Sequence, residues 1–179
     1  YASRYPGIWR VGQTSAEWNN ANVVENWLED HLQLTRREQI AGLQVRQYMP
    51  WQVGANEISP TALATFGTVA ELIGHQTFLE RNSSLTVWLY WRPLNNSQNP
   101  LKVFVHLIGT VNPVSGSLIW SQDDHYPQDG RSATHTWSTA TIYRDVYSLA
   151  LAAVPAGSYS VAIGFYDPST NQRLPVSDS

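Results

Sequence analysis

The sequence predicts a mainly β fold: an antiparallel two-sheet sandwich, jelly-roll-like, preceded by a small strand–helix–strand (α/β) unit. Three observations predict it. From Thr65 onward, seven or eight short apolar runs alternate with period two and are separated by Gly-, Pro- and Asn-containing turns, the pattern of an all-β sandwich. The first 50 residues instead change period from strand to helix and back. Apolar residues make up 42% of the 179 and charged residues 14%, enough for a packed core and too little charge for a disordered chain.

In the first unit, residues 1–50, Ile8-Trp9-Arg10-Val11 reads as a short strand ended by Gly12. Asn22 is a helix cap, with Glu25 three residues on in the capping-box arrangement. Val23, Val24, Trp27, Leu28 and Leu32 share one helical face, and Arg36-Arg37 reads as the solvated end of that helix. Leu43, Val45 and Met49 alternate with polar neighbours in a second strand. Two strands joined through a helix are expected to run parallel, with a right-handed crossover. So small a unit cannot bury its own faces, which predicts dimerisation through residues 1–50 or cover from elsewhere.

Residues 51–64, with Gly54 and Pro60, read as a linker, and residues 65–179 as the sandwich. Its strands are expected at 69–78, 85–92, 101–108, 118–122, 141–151, 158–166 and 172–176. Along 101–108, Val103, Val105 and Leu107 share one face, with Phe104, His106 and Ile108 on the other. Along 158–166, Tyr159, Val161, Ile163 and Phe165 point inward, with Ser160, Ala162 and Gly164 opposite. Residues 123–139 read as a long polar loop.

The chemistry is sparse. No phosphate-binding glycine loop, HExxH, Gly-x-Ser-x-Gly or EF-hand calcium loop is present, and no catalytic residue is assigned. The absence of cysteine excludes thiol catalysis and thiolate metal sites. A net charge of −3 argues against a nucleic-acid partner. Asp123, Asp124 and His125 are candidate ligands for a hard cation such as Ca²⁺, although carboxylates in such a loop more often cap backbone amides and face water. Acid–base work by these three is the weakest reading. Trp137 in the loop, with His106, Asp124 and Asp145, forms the candidate carbohydrate-binding set, since rings stack on sugar faces while polar groups take the hydroxyls. The competing reading places most tryptophans in the core and makes His106 a satisfied sheet residue.

An ordered series of short motifs runs through the sandwich: Phe66-Gly67, Glu71-Leu72-Ile73-Gly74, Tyr90-Trp91-Arg92, Val103-Phe104-Val105-His106-Leu107 and Gln122-x-Asp124. It continues with Pro127, Gly130, Thr134, Trp137, Asp145-x-Tyr147-x-Leu149, Pro155-x-Gly157-x-Tyr159, Gly164-Phe165-Tyr166-Asp167 and Arg173-Leu174-Pro175-Val176. This series resembles the C-terminal soluble domain of bacterial polytopic membrane glycosyltransferases of the dolichyl-phosphate-mannose-dependent mannosyltransferase type, as in chloroflexi- and cyanobacteria-like enzymes. The segment before it is similar to the extracytoplasmic stretch that precedes the sandwich in those proteins. Asn171 departs from the pattern, standing where a turn glycine is expected, and Ala150-Leu151-Ala152 stands where a proline-richer turn is usual.

The resemblance implies a non-catalytic accessory domain at the extracytoplasmic face of the bacterial cell membrane. There it would bind or guide an acceptor glycan or glycosylated protein. The parent would be a polyprenyl-phosphate-sugar-dependent enzyme whose chemistry and membrane spans lie outside this chain, and a start at Tyr1 without Met fits a piece of a longer protein. The alternative is a free-standing carbohydrate-binding sandwich.

Overall fold

The computed structural model describes residues 7–12, 23–53, 61–80 and 84–178. They fall into two compact units: the chain up to Trp51 together with Glu80, and Gln52–Leu79 with the chain after residue 83.

The first unit contains β1 (Ile8–Gly12), α1 (Val23–His31), β2 (Gln33–Ile40) and β3 (Leu43–Met49). Its sheet has the order β1-β3-β2, and β3 is antiparallel to both neighbours. The expected parallel pairing of the first strand with residues 43–49 is therefore corrected. The strand that follows the helix is β2, which runs in the same direction as β1, and a two-residue turn then sends β3 back between them. Ala41 and Gly42 both have positive φ, 50° and 80°, as a hairpin turn whose twist matches the strands requires. Arg36 is accordingly a strand residue and not a helix end. Its Nε donates to Glu80 Oε1 at 3.1 Å, and its guanidinium also meets Glu38.

The helix is narrower in its contacts than its pattern. Leu28 and Leu32 are buried with Tyr48 and the partly buried Leu34, while Val23, Val24 and Trp27 are exposed. Glu25 in its first turn bonds Arg10 at 2.9 Å and Arg46 at 2.5 Å, tying the helix to β1 and β3. The Asn22 cap lies outside the described residues.

The second unit is the antiparallel two-sheet sandwich. Its strands are β4 (Gln52–Val53), β5 (Ala64–Phe66), β6 (Ala70–Glu80), β7 (Ser84–Pro93), β8 (Lys102–Ile108), β9 (Ile119–His125), β10 (Ile142–Ala150), β11 (Ser160–Asp167), β12 (Gln172–Arg173) and β13 (Val176–Asp178). One sheet has the order β13-β5-β6-β7-β10-β4, the other β12-β11-β8-β9. The segment read as a linker contributes β4, which pairs with Ile142 and Tyr143 of β10. The long loop is shorter than expected, because β9 continues to His125 before a turn at Pro127–Gly130, left-handed at Gln128 and Asp129, and a 3₁₀ turn at Thr134–Thr136. Asn171, at φ 58°, occupies the left-handed turn position where glycine is expected, and its N–H donates to Asp167 O at 2.7 Å. Asparagine tolerates that conformation better than other side chains.

The core is aromatic at its centre. Trp91 meets Phe165 edge-on at 4.7 Å between ring centroids, and Phe66 packs against both. Trp137 stacks on Tyr143 at 5.0 Å and meets Phe165 at 6.1 Å. Edge and offset contacts of this kind contribute about 0.5–1.5 kcal/mol each beyond burial. Among the described residues no helix is long and apolar enough to cross a membrane.

On the outer side of the smaller sheet, Gly164 of β11 pairs with Phe104 of β8. A Cβ at Gly164 would overlap the Phe104 ring, so the missing side chain is what lets that ring lie across β11. Gly164→Ala is expected to destabilise the domain by roughly 1–3 kcal/mol, the usual cost of overpacking. In a Phe104→Ala background the same change should cost close to nothing. Urea unfolding of the four proteins of this double-mutant cycle measures the coupling.

Candidate functional site

The outward face of the four-stranded sheet collects polar and aromatic side chains because its strands alternate strictly. Val103, Val105 and Leu107 of β8 enter the core, leaving Lys102, Phe104 and His106 on the other side. Register sets three rows across the sheet. Arg173, Tyr166 and Lys102 form the first, Gly164, Phe104 and Asp124 the second, and Ala162, His106 and Gln122 the third.

Contacts within these rows fix most of the side chains. His106 Nε2 donates to Asp124 Oδ1 at 2.9 Å, and its ring lies 4.8 Å from that of Phe104. The Arg173 guanidinium carbon sits 4.4 Å from the Phe104 ring centroid, and Lys102 Nζ sits 5.3 Å from that of Tyr126. Phe104 and His106 are each only 7% exposed, although they lie on the outer side of a sheet. Tyr166, Tyr126, Lys102 and Asp124 are half-buried around them, with Gln122 and Arg173 exposed. The Tyr166 phenol is raised above its ordinary value by partial desolvation, with the charge of Asp124 and then Tyr126 adding to it. The face therefore offers ring surface, a fixed imidazole–carboxylate pair and two cations. That is a set of groups able to hold a polyol in place.

On the other side of β9 lies a separate, buried cluster. Asp145 of β10 is fully buried, and its carboxylate accepts the Gln128 N–H at 2.9 Å, the Val146 N–H at 3.2 Å and the Tyr147 hydroxyl. Burial pushes this carboxyl up to about 6, against the opposing pull of His125 and its hydrogen bonds. The His125 ring stacks on Tyr147 at 4.2 Å. Burial lowers the affinity of His125 for a proton, but Asp145, the Tyr126 carbonyl, Asp123 and Asp129 outweigh it and the net shift is upward. Tyr147 is held well above its ordinary value by burial and by Asp145. Gln128 and Asp129 both adopt left-handed backbone, φ 54° each, which is uncommon for two successive non-glycine residues. The Gln128 side chain secures that turn by donating to Arg144 O at 3.0 Å and accepting from Ser132 at 2.7 Å.

The two carbohydrate candidates His106 and Asp124 are thus brought into direct contact on the surface. The other two are not there. Trp137 is 2% exposed, has one face against Tyr143, and spends its indole N–H on Ser132 O at 2.8 Å, so no ring face is left for a sugar. Asp145 is enclosed in the buried cluster. The expected cation set is also split, because alternation along β9 sends Asp123 and His125 to the inner side and Asp124 to the outer. Asp123 accepts the Ser148 N–H at 2.8 Å instead. Among the described residues no group of three His, Asp or Glu side chains is placed to hold a metal ion.

Comparison with family models, with curated proteins and with solved structures finds no match to this chain. The site therefore rests on its own geometry.

Tyr166, Phe104, Lys102, Tyr126 and Arg173 were not among the residues expected from sequence. The alternation of Phe104 and His106, facing Ala162 and Gly164, was the available signal. What it lacked was the register that sets Asp124 opposite Phe104.

The buried cluster makes a pH prediction. A carboxyl that titrates at about 6 when folded and near 3.8 when unfolded favours folding while protonated. That contribution is fully present below about pH 4 and is lost as pH rises through 6. Wild type should therefore lose about 1–3 kcal/mol relative to Asp145→Asn between about pH 4 and about pH 7. Urea midpoints of both proteins across that range provide the check, and parallel profiles would contradict the assignment.

Proposed function

We propose that this chain is a non-catalytic accessory domain of a membrane-bound glycosyltransferase, presenting the outer face of its four-stranded sheet to a glycan on the extracytoplasmic side of a bacterial membrane. Two separate supports carry the two parts of this reading. The ordered motif series from Phe66 to Val176, similar to that of the mannosyltransferase-type domains, supports the parent enzyme and its location. The observation that carries glycan binding is the His106–Asp124 pair, at 2.9 Å, beside the half-buried ring of Tyr166. For a glycan laid across Tyr166, Asp124 in the second row is an acceptor for hydroxyls, and Gln122 in the third row, reached by a neighbouring sugar unit, both donates and accepts. The buried Phe104 supports the platform from below.

The alternative, a free-standing carbohydrate-binding sandwich, uses the same face and differs only in what precedes Tyr1 in the gene. A reading frame with no membrane-spanning segments upstream would remove the transferase and leave the binding module. Membrane attachment in the leading proposal comes from sequence outside this chain.

Calorimetric titration of the intact domain against a panel of bacterial polysaccharides should find a ligand. Tyr166→Ala is expected to weaken its binding by about tenfold or more, as removal of a central ring contact does. Val114→Ala, at an exposed loop position away from this face, should leave affinity unchanged. A folded domain that binds nothing on the panel would refute glycan recognition.

A further inference from the structure

We infer that the ligand of this face is an acidic glycan, whose uronic-acid carboxylates are taken by Arg173 and Lys102. The inference rests on the glycan reading above and goes on to name the substrate class.

Both cations belong to the row that contains Tyr166. Tyr166 pairs with Arg173 on one side and with Lys102 on the other. The two charges therefore flank the proposed sugar platform, with backbones separated by two strand spacings, about 10 Å. Each is held over an aromatic ring, Arg173 over Phe104 and Lys102 over Tyr126. Each ring holds the charged head in place without neutralising it.

Neither of them forms an ion pair among the described residues, whereas Arg10, Arg36, Arg46 and Arg92 each meet a carboxylate. The nearby acids are otherwise engaged. Asp124 bonds His106, and Asp167 accepts from the Ser169 N–H and hydroxyl and from Asn99. Asp123 lies with His125 on the inner side of β9, and Asp129, exposed in the turn after it, stands 3.8 Å from His125 Nδ1.

Charge counting favours carboxylate over phosphate. One unit cation stands on each side of Tyr166, which matches singly charged groups along a chain better than a compact dianion. The planar fork of Arg173 also fits a carboxylate in two parallel hydrogen bonds. Asp124, between the cations and the third row, repels a second anion there and accepts sugar hydroxyls. The ligand's charge is thereby directed to Arg173 and Lys102. The protein as a whole carries a net charge of −3, so attraction to a polyanion cannot come from its overall field and has to be local.

The test uses the intact domain and three uronic-acid polysaccharides, polygalacturonate, alginate and hyaluronan, each paired with its carboxyl-reduced neutral form, with inorganic phosphate and acetate as competitors. The expected result is at least one acidic polymer bound about tenfold or more tighter than its neutral form at low ionic strength, with the gap closing in about 0.5 M salt. Arg173→Ala and Lys102→Ala should each weaken the acidic polymer several-fold and leave the neutral form unchanged. Arg37→Ala, an exposed arginine of the other unit, should alter neither. Equal affinity for an acidic polymer and its neutral form overturns the inference while leaving glycan binding in place. An acid preference that survives the Lys102→Ala/Arg173→Ala double substitution overturns the residue assignment. Competition by phosphate at lower concentration than by acetate overturns the choice of carboxylate. Failure of every polymer, acidic and neutral, refutes this inference together with glycan binding itself.

Discussion

The buried carboxylate of Asp145 is the constraint around which the sandwich is arranged. It stands on β10 in the larger sheet, yet it accepts the N–H of Gln128 from the turn that follows β9 in the smaller one. An ionised carboxylate in that place is costly to desolvate and is retained only because three donors converge on it. The same bond fixes a turn whose two left-handed residues would otherwise relax. With the end of β9 anchored in this way, the strand's alternation is anchored too. Asp123 and His125 face the side of β9 toward β10, both partly buried, which leaves Asp124 on the other side against His106. An internal electrostatic arrangement thus decides what the surface displays.

The surface itself is built by subtraction as much as by addition. Ser160, Ala162 and Gly164 give β11 almost no side chain on its outer side, and Phe104 from the neighbouring strand fills the space at Gly164. The ring becomes a floor, and Tyr166 and Arg173 stand on it. This economy suits a module that orients a ligand. The strongest displacements of titration, at Asp145 and Tyr147, belong to fully buried side chains, away from that face.

Much of this was readable in the sequence where side-chain period alone decides the outcome. The alternation of Val103, Val105 and Leu107 with Phe104 and His106 placed β8, and that of Tyr159, Val161, Ile163 and Phe165 placed β11. β2 was not readable, because Gln-Leu-Thr-Arg-Arg-Glu-Gln-Ile has no apolar alternation and is rich in good helix formers. It is a strand through its ladder with β3 and the Arg36–Glu80 pair, both of which are tertiary facts. Trp137 misled for a related reason. Its loop position suggests exposure, but the indole is buried in the core against Tyr143 and Phe165. Asp145 did carry a signal, since it is in phase with Tyr147 and Leu149, and two inward neighbours in a strand imply an inward carboxylate. Register between strands left no trace at all, and with it went the grouping of Arg173, Tyr166 and Lys102.

The bond from Asp123 to the Ser148 N–H has a consequence for solubility. Among the described residues β4 pairs with β10 only at Ile142 and Tyr143, and farther along the strand carboxylates take backbone donors, Asp145 that of Val146 and Asp123 that of Ser148. A sheet edge is a template for recruiting a strand from another molecule, the first step of aggregation. A carboxylate that occupies one of those donors breaks the continuous ladder an incoming strand would need, and it sets a negative charge in its path. Asp123, weighed from sequence as a cation ligand and more readily as a cap for backbone amides, takes such an amide here, on an edge that another strand could otherwise join.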